Sequence, residues 1–114
     1  EQPGVLELLY ETHNRAVLQA CDNLAVAPWG DLIICEDSYS DSPDTVNYLR
    51  GLTPDGKIYT LAMNAHVDKG EFCGACFSPD GTTLFVNIQR PGMTIAITGP
   101  WGRLRNQAKG IAIL

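Results

Sequence analysis

The stretch CDNLAVAPWGDLIICED, residues 21–37, decides the fold: an almost wholly apolar middle is cut by one Pro-Trp-Gly-Asp step, and both ends are polar or acidic. The short apolar runs on either side of that step read as strands. The step places Pro28, then a residue tolerant of the bridge region, then Gly30 where φ must be positive, which is a type I turn closing a tight hairpin. A hairpin returns the chain to where it started, so Asp22 and Asn23 are expected beside Glu36 and Asp37.

Outward from this hairpin the same grammar recurs. VLELLYE, YLRGLT, KIYTLAM, GACFSP, TLFVNI and TIAIT are further short runs bounded by turn residues, and TPDG and SPDG repeat the turn chemistry of PWGD. Two hairpins are copies: LAVAPWGD followed by LIICED matches ACFSPDGT followed by TLFVNIQ, with Pro28 on Pro79, an offset of 79 − 28 = 51 residues. A third hairpin, NYLRGLTPDGKIYTLAMN, lies between the copies. Four antiparallel strands per repeat of about 40 to 50 residues is the pattern of a β-propeller blade. The expected fold is therefore all-β, about two four-stranded antiparallel blades forming a propeller fragment. Residues 1–20 would end one blade, 21–72 form the next, 73–102 begin a third, and 103–114 make a tail with at most a short helix. An ordinary meander or sandwich with recurring PDG turns is the competing architecture.

Composition sets limits on function. The chain has 114 residues, one domain's worth, with 13 acidic against 8 basic residues and no basic run, which argues against nucleic acid and anionic membrane surfaces as partners. No apolar run approaches a membrane span, and EQPGVLELLYET has none of the parts of a signal peptide. Cys21, Cys35, Cys73 and Cys76 include a single CxxC, whereas zinc sites commonly pair two such clusters; free thiols are expected, and one disulfide stays compatible with the sequence. Nucleotide-binding loops and the serine hydrolase elbow are absent. His13 and His66 are lone histidines, and Trp29 and Trp101 read as packing residues.

Blade geometry assigns the acids a place. If NLAVAP is an inner strand running away from the channel mouth, its hairpin returns to the mouth, and the loops EDSYSDSPDTVN and NAHVDKGEF lie there too. Asp22, Asn23, Glu36, Asp37, Asp41, Asp44, Asp68 and Glu71 then share one face, with Lys69 and Arg90 as the nearby cations. Crowded carboxylates repel unless a cation neutralises them, and hard oxygen ligands suit Ca²⁺. EDSYSDSPD lacks the glycine and closing glutamate of an EF-hand loop, so a calcium site would be assembled from several loops. Asp41, Asp44 and Asp68 read as solvated loop acids or turn caps.

CDNLAVAPWGDLIICEDS and EFCGACFSPDGTTLFVNIQRPGMTIAITGPW closely resemble the C-terminal blades of PhoX-type alkaline phosphatases, over most of the chain from about Gly4 to Trp101. That resemblance implies a periplasmic or secreted phosphomonoesterase, exported folded, with calcium and iron at the mouth of its propeller. It implies Glu36 and Glu71 as metal ligands, and Asp22 and Asn23 as ligands or orienting groups, with no particular residue assigned to catalysis. Cys21 stands where the family has the proline of its PDN segment, and Cys73 where it has the first alanine of FAGA. Two blades cannot close a ring. The chain by itself is therefore expected to be inactive and to self-associate into a homo-oligomer through open strand edges; the resemblance implies Ca²⁺ and Fe³⁺ in the intact parent, with neither required in the fragment. The alternative is a propeller domain that keeps the scaffold for binding or structure alone.

Overall fold

A computed structural model describes residues 3–39 and 45–104. Seven strands form two antiparallel sheets: β1 (Cys21–Val26), β2 (Leu32–Glu36), β3 (Tyr48–Leu52) and β4 (Ile58–Met63) in the first, and β5 (Phe72–Phe77), β6 (Thr83–Ile88) and β7 (Met93–Thr98) in the second. Each sheet runs in simple sequence order. Among the described residues the fold is all-β apart from one helical turn at 101–104.

The turns behave as their residues dictate. In the first hairpin the Gly30 N–H donates to the Ala27 carbonyl at 2.9 Å with Gly30 at φ 102°, and TPDG and SPDG repeat this with Gly56 at 82° and Gly81 at 70°. Only glycine adopts such angles without strain. The 51-residue repeat is real in space: β1 starts at Cys21 and β5 at Phe72, and β1 ends at Val26 and β5 at Phe77. The 51-residue offset holds on both sides of the turn, yet the second hairpin closes one residue later. The loop closes from Ala27 N to Asp31 O in the first hairpin but from Ser78 N to Thr83 O in the second.

The two sheets pack face to face. Ile33, Cys35 and Leu49 of the first sheet share a buried cluster with Phe72, Leu84, Val86 and Ile88 of the second, and β5 lies against β1 and β2. Trp29, in the first turn, stacks on Trp101 at 5.5 Å and meets Phe77 edge-on at 5.4 Å, while the Trp101 indole N–H donates to the Thr82 carbonyl. This aromatic group seals the end of the seam opposite the acids. The outward faces stay open, with Leu24 and Val26 of β1 and Phe85 of β6 exposed. Such an arrangement is two consecutive propeller blades, without closure into a ring.

The segment VLELLYE differs from its reading as a strand: residues 5–11 form no regular element and pair with nothing among the described residues. A strand needs a neighbour for its backbone groups, and the sheet to which this one would belong lies outside the two described. The second sheet has three described strands instead of four. Asp41, Asp44 and most of the 103–114 tail fall outside the described residues.

Candidate metal centre

Three strand ends bring the acids together. Asp22 sits at a bulge in β1, where the register with β2 jumps between Cys21 and Asn23, so it has no cross-strand partner. Bulges re-aim side chains. Asp37 follows β2 directly, its N–H held by the Ala20 carbonyl at 2.9 Å. Glu71 precedes β5, and its carbonyl accepts the Gln89 N–H at 3.1 Å. One carboxylate oxygen from each of Asp22, Asp37 and Glu71 lies within 4.8 Å of the others. Two of these acids come from the first blade, and Glu71 leads into the second. The cluster therefore bridges the seam.

Its depth is graded, with Asp22 exposed, Asp37 half-buried and Glu71 8% exposed. Burial pushes the Glu71 carboxyl above the usual glutamate range, the Asp37 and Asp22 charges push it the same way, and Arg90 partly opposes them. Burial also raises Cys73, with Glu71, Asp22 and Asp37 adding to the effect. Close like charges favour protons or a cation among them.

Asn23 ties the cluster together. Its Nδ2 donates to the Asp22 carboxylate at 3.0 Å, and its Oδ1 accepts the Gly74 N–H of β5 at 3.0 Å. The loop before Glu71 is braced by two buried asparagines. Asn47 donates to the Lys69 carbonyl at 3.1 Å and accepts the Ser38 N–H, while Asn64 donates to the Gly70 carbonyl at 2.7 Å and accepts the His66 N–H. Gly70 admits no side chain, because a Cβ there would stand 2.4 Å from the Arg90 carbonyl oxygen.

Of the residues singled out in the sequence, Asp22 and Glu71 come together and Asn23 adjoins them. Glu36 is held elsewhere. It is fully buried, and its Oε1 accepts from Arg50 Nε at 3.0 Å and the Gln19 N–H at 3.2 Å, its Oε2 from the Tyr48 N–H at 2.9 Å. Asp68 is an exposed loop acid 3.5 Å from His66 Nδ1. Asp37 completes the cluster, a role that its place one residue after Glu36 signals only once the strand's last inward position is known. Asn47 and Asn64 were signalled only by their positions flanking apolar strands. All four cysteines are free; Cys35 is buried in the seam and its thiol is pushed up to about 11, chiefly by that burial.

Three carboxylates in one small volume are a hard donor set, suited to Ca²⁺ and to other oxygen-seeking cations. No curated protein and no solved structure gave a match. A sequence model of one family, described as alkaline phosphatase PhoX, matches residues 2–92. That match spans most of the sequence, and the chain belongs to the PhoX alkaline phosphatase family.

Proposed function

We propose that this chain forms part of the metal-bearing mouth of a phosphomonoesterase, with Asp22, Asp37 and Glu71 holding a calcium ion. The observation that carries the reading is the convergence of the three carboxylates at 4.8 Å or less, across the seam between two blades of a phosphatase-family chain. A bound cation there would supply positive charge for phosphoryl oxygens. Asn23 orients Asp22, the asparagine-braced loop fixes Glu71, and burial of Glu71 makes its carboxylate a demanding site that a cation relieves. Glu36 supports the mouth through Arg50. An iron ion would need donors beyond this trio. Export to the periplasm or beyond follows from family habit, and so does a phosphomonoester substrate.

The test is cation binding by the 114-residue chain, read by calorimetry with Ca²⁺ and by luminescence with Tb³⁺, alongside turnover of an aryl phosphate. The expected result is one saturable site, weakened at least about tenfold in Asp37→Asn and Glu71→Gln, with no turnover by the chain alone. Binding of equal strength in both variants would overturn the assignment.

A further inference from the structure

Glu71 is the deepest of the three clustered acids, and no N–H or hydroxyl donates to its side chain among the described residues; it faces the carboxylates of Asp37 and Asp22 instead. Three carboxylates carry three negative charges and a calcium ion returns two, so a loaded cluster keeps a net negative charge. A phosphoryl group is itself an anion. It settles at such a site only where a further positive charge stands beside the metal.

The turn between β6 and β7 supplies that charge. Ile88, at the end of β6, pairs with Phe72, the residue after Glu71, and the Gln89 N–H donates to the Glu71 carbonyl at 3.1 Å. The main chain of Arg90 lies against Gly70, where a Cβ would stand 2.4 Å from the Arg90 carbonyl oxygen and 2.8 Å from its nitrogen. Backbone contacts alone therefore lock the turn to the loop that carries Glu71.

The Arg90 side chain takes no part in that lock. It is exposed, its charge reaches Glu71, and it makes no ion pair or hydrogen bond with a described residue, so its guanidinium keeps all five donors. Other basic residues are committed or remote. Arg50 is buried and spends its nitrogens on Glu36, Thr60 and the Ala16 carbonyl. Lys57 pairs with Asp55 in the TPDG turn, and Arg103 belongs to the helical turn beside Trp101, at the aromatic end of the seam.

We infer that Arg90 is a phosphoryl-binding residue of this mouth, its guanidinium taking two oxygens of a phosphomonoester side by side while a cation on Asp22, Asp37 and Glu71 takes another. The inference rests on the calcium reading above and adds the group that turns a cation site into one that accepts an anion. Arg90 acts on the two ligands in opposite senses. Its charge repels the cation beside Glu71 and attracts the phosphoryl group, so removing it weakens one ligand without weakening the other. A residue needed only for the fold would weaken both.

The experiment titrates the 114-residue chain by calorimetry, first with Ca²⁺ and then, in saturating Ca²⁺, with phenylphosphonate, whose P–C bond resists hydrolysis. The calcium-loaded wild type is expected to bind phenylphosphonate. Arg90→Gln should lower that affinity at least about tenfold while its Ca²⁺ affinity stays equal or rises, and Arg90→Lys, a point charge without the planar fork, should fall between. Phenylphosphonate bound equally by wild type and Arg90→Gln, or not bound by the calcium-loaded wild type, would overturn the role of Arg90 and leave the calcium site standing. Equal losses of both ligands in Arg90→Gln would overturn it too, by showing a structural residue. A wild type that bound no Ca²⁺ would overturn the calcium reading itself, and this inference with it.

Discussion

Glu36 and Arg50 form a buried pair, 0% and 6% exposed, whose net worth depends on how completely their hydrogen bonds are made. Here they are well made: Arg50 also donates to Thr60 and to the Ala16 carbonyl and lies 4.0 Å over the Tyr48 ring, while Glu36 takes two backbone N–H groups. The pair thus pins the incoming segment to the first sheet. Glu36→Gln would leave a buried guanidinium without its counter-charge. The expected loss is about 3–5 kcal/mol, measured by denaturant unfolding; a loss under about 1 kcal/mol would mean that Arg50 finds water. The sequence displayed Glu36 as one acid among several at a hairpin's end. What it also displayed, an arginine in the middle of the apolar strand YLRGL, was the sign of a buried partner, because a charge seldom enters a core alone. Distinguishing Glu36 from Asp37 required knowing on which face β2 ends. Successive strand residues point oppositely, so a single position of uncertainty exchanges a buried support for a mouth-facing acid.

Strands and turns were legible because their signals are local. Pro-x-Gly turns, period-two apolar runs and the 51-residue copy gave seven of eight strands and their antiparallel order, while the one-residue shift in pairing after SPDG showed only in the register. The unpaired segment at residues 5–11 was legible as strand-forming sequence, yet strand formation depends on a neighbour and no local pattern supplies one. Packing between elements was equally hidden. Gly51 reads as a propensity defect in β3, but its missing Cβ is where the Tyr59 ring lies, with the Tyr59 hydroxyl donating to Asp31 at 2.6 Å. Gly51→Ala must displace that ring and its hydrogen bond. A destabilisation of about 1–3 kcal/mol is expected, and Tyr59→Phe in the same background should add little further loss, since the bond is already broken. Full additivity of the two changes in a double-mutant cycle would show that the ring had not moved.

At the scale of the molecule, the seam between blades is apolar along its length, sealed by Trp29 and Trp101 at one end and crowded with carboxylate at the other. Hydrophobic burial draws the sheets together there while charge pushes them apart, so the acid cluster should report on the seam through pH. Glu71 has a folded value above its unfolded one. Its contribution to stability is therefore complete at acid pH, below the unfolded value, and is lost as pH rises through the folded value. In chelator, the stability of the wild type relative to Glu71→Gln should fall as pH rises from about 4 towards neutrality. The exposed acids Asp55 and Asp80 have lowered values and act in the opposite sense, but they are common to both proteins and cancel in the difference. Calcium should reverse the trend, because a cation shared by Asp22, Asp37 and Glu71 converts the repulsion into a link between blades. At about 100 times its dissociation constant it adds about 2.7 kcal/mol to the wild type, seen as a rise in Tm, and much less to Glu71→Gln. If calcium raised the two proteins' midpoints equally, the ion would be binding away from the seam, and the three carboxylates would owe their proximity to the fold alone.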